Sequence, residues 1–260
     1  MSAVVGHKTS SDYSADDRLR VLKTCRVVAG ILGELTEHVT VVGGIVPTLL
    51  TLSQDDIEEE HVGSTDLDIA ITLVADAGLK AEVISKLEDV GFAPARREGG
   101  GTSESRWTHP DATERVHIDI IPVTADGVGA TGRLSEVRFA LSRRRRVRIG
   151  DALELWVCAP GPYVLLKTAA FMDRREPKDA YDLCFVLEHC STDEIVHDLA
   201  PLMRQREAAE LMEELSQLFT DEEAEGPQAV AAFLGLVDDD VTLTEAVGLV
   251  LNLCAKVGFT

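Results

Sequence analysis

The pattern of apolar residues changes close to Pro160, and this change limits which folds the chain can adopt. Before that point, short apolar segments typical of strands alternate with segments of helical periodicity. After it, residues 161 to 260 show helical periodicity nearly throughout and contain no convincing strand. This arrangement predicts the α/β (α+β) class, with a mixed sheet and flanking helices in the first half and an all-α domain in the second.

We expect residues 1–14 to be a disordered tail, residues 15–158 to form the α/β domain and residues 159–260 to form the helical domain. In the α/β domain, helices are predicted over residues 15–38, 45–52 and 77–90. Strands are predicted over residues 40–42, 67–73, 105–107, 115–121, 137–141 and 153–158. A flexible break is expected at Gly99-Gly100-Gly101.

The composition is typical of a globular protein, since 45% of the 260 residues are hydrophobic. No apolar run approaches the roughly 20 residues that a membrane-spanning helix needs, and the N-terminus lacks the apolar stretch of a secretory signal. The five cysteines are scattered and form no CxxC pair, which favours reduced, mostly buried thiols over a zinc site. We therefore expect a cytoplasmic protein with no membrane partner.

The net charge of −20 argues against a protein whose surface is coated with nucleic acid. One segment differs from this acidic background, namely the arginine-rich run from Arg143 to Arg148. It is interpreted either as the basic edge of a sheet or a loop, or as a surface that contacts phosphates. The sequence does not separate these two interpretations. The acidic run from Asp55 to Glu60 is expected to lie outside any contact with RNA.

Three acidic residues occupy unusual positions in apolar strands. Asp66 and Asp68 are two residues apart, so their carboxylates point to the same face of a strand. Asp119 lies in a second apolar strand, VHIDIIPV, where a lone acid is costly unless something neutralises it. Together they form a set of hard oxygen ligands that suits Mg²⁺, and two such ions can activate a hydroxyl and stabilise a leaving pyrophosphate. The alternative is that Asp66 caps a turn and Asp119 forms a local salt bridge.

Two short segments near these acids are candidates for binding a nucleotide. Gly43-Gly44 closes a strand and opens a helix, a turn in which backbone N–H groups can approach a phosphate. Ser64 and Thr65 precede the first acid and can donate hydroxyl hydrogen bonds to phosphate. Each segment also has a simpler interpretation, as a tight turn and as a turn cap.

These motifs resemble the polymerase-beta-like nucleotidyltransferase superfamily. The resemblance rests on Val42-Gly43-Gly44, on the run from His61 to Asp68, and on His117-Ile118-Asp119. In the second half, Leu165-Leu166-Lys167-Thr168-Ala169 and the run from Arg174 to Leu183 look like the AbiEii-type toxin group of that superfamily. This group includes the MenT-type toxins, which use nucleoside triphosphates to modify transfer RNA ends. The resemblance covers about residues 38 to 190.

The resemblance implies an enzyme of the EC 2.7.7 type, which moves a nucleotidyl group from a nucleoside triphosphate to a hydroxyl of RNA at a transfer RNA 3′ end. It further implies two Mg²⁺ ions or Mn²⁺, and a toxin with a cognate antitoxin protein. The implied metal ligands are Asp66, Asp68 and Asp119, which are also catalytic together with Lys167 and Asp179. The implied nucleotide-binding residues are Gly43, Gly44, Ser64, Thr65, Lys167, Lys178 and Asp182.

Three alternatives remain on sequence alone. The first is a nucleotidyltransferase of the aminoglycoside-modifying kind, because an acidic protein suits a cationic small molecule. The second is transfer onto a protein hydroxyl, and the third is an inactive nucleotide-binding or partner-binding module. Lys167 is interpreted as an exposed lysine or as a partly buried one among apolar neighbours. Trp107 is predicted to be a core residue.

Overall fold

In the computed structural model, the change of pattern at Pro160 coincides with the boundary between two units. The structure describes residues 7–54, 60–72, 78–97, 99–109, 116–123, 137–150, 152–237 and 239–259. Ala15–Ala159 form one unit, which we call the sheet unit. Met1–Ser14 and Pro160–Thr260 form the other, which we call the helical unit. The chain is therefore of the mixed α/β class.

The described part of the sheet unit contains one sheet of seven strands. They are β1 (Val39–Val42), β2 (Asp66–Thr72), β3 (Ala93–Arg96), β4 (Thr102–Thr108), β5 (His117–Val123), β6 (Arg144–Arg148) and β7 (Glu154–Cys158). Their order across the sheet is β3-β4-β5-β2-β1-β7-β6. The sheet is mixed, because β2 pairs with β5 and β1 with β7 in parallel, whereas the other neighbours are antiparallel.

Four helices lie in the described part of this unit. They are α1 (Ala15–Leu32), α2 (Val46–Thr51), α3 (Gly78–Asp89) and α4 (Val137–Ser142). The longest, α1, buries Val21, Cys25, Val28 and Leu32, whose spacing of three or four residues forms one apolar stripe. Two 3-10 turns, Gly33–His38 and Gly43–Ile45, connect β1 to the helices before and after it.

At the centre of the sheet, one face is buried in the core, and the other face is partly exposed to solvent. We call the second the half-open face. Leu67 and Ile69 of β2 and Ile118 and Ile120 of β5 are fully buried, and each such side chain contributes roughly 1.5–3 kcal/mol through removal from water. The residues that alternate with them in the first part of each strand are polar and only half-buried. Strand alternation therefore sends the apolar residues to the core and the polar residues to the opposite face.

Residues 137–141 were predicted to be a strand, and this prediction is wrong, because Val137–Ser142 is the short helix α4. Val137 and Ala140 are buried one helical turn apart, and Ala and Leu are good helix formers. A short apolar run has no periodicity that separates a buried strand from a buried helix. The strand β3 was not predicted, and it carries Pro94 at the edge of the sheet, where proline is tolerated.

The three glycines expected to form a flexible break instead form the turn between β3 and β4. Gly99, Gly100 and Gly101 all have positive φ angles, which side chains rarely adopt. The N–H of Arg97 donates to the carbonyl of Gly101 at 3.1 Å and closes the turn. Trp107 of β4 is only 4% exposed, as predicted for a core residue.

The helical unit contains no strand among the residues described. Its helices are α5 (Pro160–Arg174), α6 (Pro177–His189), α7 (Thr192–Leu199), α8 (Arg206–Leu218), α9 (Glu225–Leu234) and α10 (Asp240–Val257). The N-cap Asp239 accepts a hydrogen bond from the N–H of Thr242 at 3.0 Å, and Gly235 and Gly258 end their helices in the left-handed conformation.

Residues 7–14 are not the disordered tail that the sequence predicted. Ser10–Asp12 form a 3-10 turn, and the ring of Tyr13 packs against that of Phe233, with 5.9 Å between centroids. Tyr13 is half-buried, and its aromatic contact helps to hold this terminal segment in place. The residues before His7 lie outside the described part of the chain.

Two general features complete the fold. All five cysteines, Cys25, Cys158, Cys184, Cys190 and Cys254, are buried free thiols. Among the helices described, none combines the length and the apolar character that crossing a membrane requires.

Candidate functional site

The half-open face of β2 and β5 carries the three acids that the sequence singled out. In the parallel pairing of these strands, Asp68 lies opposite Asp119, and Asp66 lies opposite His117. Residues that are opposite in register point to the same face of a sheet. Asp66, Asp68 and Asp119 therefore share one face, as the alternation predicts. The side chains of Asp66 and Asp119 are 31% and 20% exposed, so both remain accessible to a solute.

An arginine from the next strand lies among these acids. Arg106 of β4 is opposite Asp119 in register. Its Nε donates to Oδ1 of Asp119 at 2.8 Å and its Nη2 to Oδ2 at 2.5 Å, and the same Nη2 is 3.7 Å from Oδ2 of Asp66. The hydrogen bonds to Asp119 raise the pKa of Arg106 above its ordinary value, although partial burial opposes this shift. The local salt bridge that the alternative interpretation assigned to Asp119 is therefore present.

The sequence analysis did not identify Arg106. The sequence contained one indication of its position. Side chains alternate along β4, so Arg106 and the buried Trp107 point to opposite faces, and Arg106 lies on the polar face of the sheet. The pairing of β4 with β5, however, joins residues that are 13 positions apart, and the register of such a pair is not visible in a single sequence.

The arginine also affects the geometry available to a metal. Within the described ranges, no group of three or more His, Cys, Asp or Glu side chains has a geometry suited to holding a metal ion. The guanidinium of Arg106 supplies the positive charge beside Asp66 and Asp119 instead. The three carboxylates nevertheless fit Mg²⁺ chemically, since they are hard oxygen donors on neighbouring strands.

Gly43 makes room for the third carboxylate. It follows β1 directly, where Val42 lies opposite Asp68, and its φ angle is +77°. A Cβ atom at this position would lie 2.0 Å from Oδ2 of Asp68, which no real structure tolerates. Only glycine therefore allows the carboxylate of Asp68 to lie where it does. Gly44 belongs to the same 3-10 turn, Gly43–Ile45.

The segment before β2 is held in place by side-chain contacts. Ser64 Oγ accepts a hydrogen bond from the N–H of Asp66 at 3.3 Å, which is the turn cap that the simpler interpretation predicted. His61 is only 1% exposed, and its Nδ1 accepts from the N–H of Gly63 at 3.0 Å and contacts the hydroxyl of Thr48 at 3.1 Å. His61 is therefore a buried residue that holds this segment in place.

The candidate residues of the second half form one buried cluster of charges in the helical unit. Nζ of Lys167 in α5 donates to Oδ1 of Asp179 at 2.8 Å and to Oδ2 of Asp182 at 2.6 Å, both in α6. Arg174 makes two further hydrogen bonds to Asp179, each 2.6 Å long, and Lys178 donates to Oδ1 of Asp182 at 2.6 Å. Both aspartates are at most 1% exposed.

The electrostatics of this cluster follow from its burial. Burial alone would lower the pKa of Lys167, but its two carboxylate partners outweigh burial and raise the pKa. Burial likewise opposes the charge of Asp179, yet Lys167 and Arg174 lower its pKa below the ordinary value. Burial dominates at Lys178, whose pKa is lowered. Lys167 is therefore a charged, partly enclosed residue rather than an exposed lysine.

The arginine-rich run is the edge strand β6. The guanidinium carbons of Arg144 and Arg146 lie 4.5 and 4.8 Å from the ring centroid of Trp156, and Arg146 pairs with Glu37 at 2.5 Å. The interpretation as a basic strand edge is confirmed. These contacts occupy two of the arginines, and Arg146 and Trp156 also border a cavity of about 340 Å³ beside α1. In the acidic run from Asp55 to Glu60, only Glu60 lies within the described residues.

A comparison of the chain with models of known protein families finds no match, and neither does a comparison with curated proteins.

Proposed function

We propose that this chain is a nucleotidyltransferase that moves a nucleotidyl group from a nucleoside triphosphate to a hydroxyl, with pyrophosphate as the leaving group. One observation carries the proposal. Asp66, Asp68 and Asp119 lie on the same half-open face of two parallel strands, and Gly43 leaves the space that the carboxylate of Asp68 occupies. Three carboxylates on one accessible face supply the hard oxygen donors that a divalent cation prefers, and this favours a role in binding.

The donor set suits divalent metal. Asp66, Asp68 and Asp119 would hold two Mg²⁺ ions, with Mn²⁺ as a substitute. Bound metal would neutralise charge on the triphosphate and lower the pKa of an attacking hydroxyl. The chain's own residues supply the orientation, because the register of β2 and β5 fixes where the carboxylates lie.

Residues beside the acids are proposed to bind the triphosphate. The oxygen of Ser64 accepts from the N–H of Asp66, and this bond does not use the hydroxyl hydrogen, which can donate to a phosphate oxygen. Thr65 carries a second, half-buried hydroxyl next to it. The N–H groups of Gly43 and Gly44 are assigned to the same task on the grounds of the resemblance.

The resemblance also assigns Lys167 and Lys178 to phosphate, and Asp179 and Asp182 to completion of the site. Lys167 is charged, but its side chain is only 7% exposed, and it donates hydrogen bonds to both aspartates. Asp179 and Asp182 would orient the two lysines. The hydrogen bonds of this cluster join α5 to α6, and its assignment to the nucleotide rests on the resemblance alone.

The acceptor is proposed to be RNA, at a transfer RNA 3′ end, for a toxin with a cognate antitoxin. This part rests on the AbiEii-type resemblance. A second candidate has a specific observation in its favour, since a chain of net charge −20 attracts cationic small molecules and repels RNA. An aminoglycoside-type acceptor is therefore the principal rival.

One experiment separates these candidates. The full chain is incubated with each radiolabelled triphosphate and Mg²⁺, once with total cellular RNA and once with aminoglycosides, and Asp119→Asn serves as the inactive control. Label in RNA with the wild type alone supports the RNA acceptor, and label in the aminoglycoside supports the rival. If a folded wild type transfers label to neither acceptor with any triphosphate, the proposed function is wrong.

A further inference from the structure

The guanidinium of Arg106 lies between two of the proposed metal ligands. It uses both oxygens of Asp119, at 2.8 and 2.5 Å, and its Nη2 is 3.7 Å from Asp66. A metal ion shared by these two acids would compete with Arg106 for the same carboxylate oxygens. In the structure, the guanidinium of Arg106 supplies positive charge beside these acids.

We propose that Arg106 is the resting counter-ion of the three acids, that a divalent cation displaces it, and that the freed guanidinium then binds the triphosphate. This inference rests on the proposed function, which it deepens by adding a residue that positions the nucleotide. No covalent step is involved, since one ion pair is exchanged for a set of metal–carboxylate contacts and a guanidinium–phosphate contact.

A metal ion can reach the ion pair because the pair is partly exposed. The side chains of Arg106 and Asp119 are 44% and 20% exposed, so water partly screens the attraction between them. A divalent ion carries twice the charge of the guanidinium and binds several carboxylates at once. The metal therefore has the stronger electrostatic attraction to Asp66, Asp68 and Asp119.

The backbone keeps Arg106 near the site after its side chain leaves Asp119. Arg106 is opposite Asp119 in the register of β4 and β5, so its Cα cannot move away while the strands remain paired. A planar guanidinium matches the oxygens of phosphate as well as it matches those of carboxylate. A triphosphate held at these carboxylates would therefore have Arg106 as a neighbour on the adjacent strand.

The test uses the full chain, with Mn²⁺ as the metal probe and inorganic tripolyphosphate as the phosphate probe. Binding of Mn²⁺ alone is measured by electron paramagnetic resonance for the wild type, Arg106→Gln, Arg106→Lys and Asp119→Asn. Arg97→Gln is the matched control, because Arg97 is an exposed arginine at the turn between β3 and β4. Circular dichroism verifies that each variant is folded.

We expect Arg106→Gln to bind Mn²⁺ about three- to tenfold more tightly than the wild type. In this variant the guanidinium, which is partly exposed, no longer competes with the metal for the oxygens of Asp119. Arg106→Lys should lie between the two, since lysine lacks the two-pronged hydrogen bond. In the presence of saturating Mn²⁺, Arg106→Gln should bind tripolyphosphate several-fold more weakly. A purely structural arginine would not shift the two affinities in opposite directions.

The results distinguish the inference from the proposed function. If the wild type and Arg106→Gln bind Mn²⁺ equally well and Asp119→Asn does not bind it, the exchange is wrong and the metal site stands. If Arg106→Gln gains Mn²⁺ affinity but binds tripolyphosphate as the wild type does, the second role of Arg106 is wrong. If no folded variant and no wild-type sample binds Mn²⁺, the inference and the proposed function both fail.

Discussion

At the scale of single residues, Asp119 has a carboxylate in a strand whose neighbouring side chains, Ile118 and Ile120, are fully buried. Such a charge needs a partner, and Arg106 supplies two hydrogen bonds to it. Arg106 compensates the charge of Asp119, as folding of the strand requires. Asp66 and Asp68 lie beside this compensated carboxylate. The local requirement for neutralisation therefore explains why an arginine lies on this face of the sheet.

We expect Asp119→Asn to retain the fold and to abolish nucleotidyl transfer. The amide has almost the same shape, but it removes a negative charge that a divalent ion requires. The loss of a partly exposed ion pair should lower the free energy of unfolding by at most about 1 kcal/mol. Transfer assays and urea unfolding measure the two effects. Asp89→Asn, at the exposed end of α3, is the control, and transfer by Asp119→Asn close to the wild-type rate would assign Asp119 to structure alone.

Gly43→Ala should disrupt the same site through packing. The added Cβ would overlap the carboxylate of Asp68, and a side chain at φ +77° costs about 1–2 kcal/mol. We expect a lower melting temperature and a loss of both Mn²⁺ binding and transfer. Gly30→Ala is the matched control, because a Cβ at Gly30 in α1 meets no atom within 4 Å and alanine favours a helix. Unchanged Mn²⁺ binding in Gly43→Ala would mean that Asp68 is not a ligand.

At the scale of elements, the charged cluster between α5 and α6 is a buried joint. Replacement of Lys167 by Met would leave Asp179 and Asp182 with one partner fewer inside the helical unit. Loss of one partner from a buried charge pair typically costs about 3–5 kcal/mol. We expect the free energy of unfolding to fall by this amount in chemical denaturation. Arg206→Met is the control, since Arg206 is 88% exposed, and equal stabilities of the two variants would contradict a structural role for the cluster.

The same cluster predicts an acid limb in the pH dependence of stability. The pKa of Asp179 is lowered below the ordinary value of 3.8 in the folded chain. A carboxyl with a lowered folded pKa stabilises the fold above its unfolded pKa, and this contribution is lost as the pH falls through the folded value. Thermal melts between pH 7 and pH 2 should therefore show a decrease below about pH 4. Asp179→Asn should reduce this decrease, and an identical acid limb in that variant would exclude Asp179 as its source.

Elements differed in how far the sequence could predict them. The acids of β2 were placed on one face because alternation within a strand is a local property, visible as Asp66-Leu67-Asp68. The assignment of Val137–Ser142 failed because a run of six residues is too short for its periodicity to show. The contact of Gly43 with Asp68 and that of Arg106 with Asp119 depend on strand pairing, which joins distant segments and is fixed only when the sheet forms.

At the scale of the whole molecule, charge decides which acceptor the proposed enzyme can approach. The net charge of −20 repels RNA, but charges farther apart than roughly 8 to 10 Å are largely screened at physiological salt. A local basic surface can therefore bind RNA on an acidic protein. The edge strand β6 is the candidate, although Arg144 and Arg146 stack on Trp156 and contact Glu37. Arg143, Arg145 and Arg148 are the arginines of the run that can be replaced without removing the contacts of Arg144 and Arg146 with Trp156.

We therefore expect Arg143→Ala, Arg145→Ala and Arg148→Ala, combined in one variant, to weaken RNA binding without changing the affinity for tripolyphosphate. Each phosphate contact with single-stranded RNA contributes about 0.7 to the slope of log affinity against log salt concentration, so the slope should become shallower by up to about 2. Fluorescence anisotropy with labelled RNA at several salt concentrations measures this change. A second triple variant, Arg175→Ala, Arg204→Ala and Arg206→Ala, removes the same charge from exposed positions of the helical unit and controls for net charge. If both triple variants lose affinity equally, only the overall charge matters. If the β6 variant binds and labels RNA as the wild type does, β6 is an edge strand without an RNA role, and a cationic small molecule becomes the favoured acceptor.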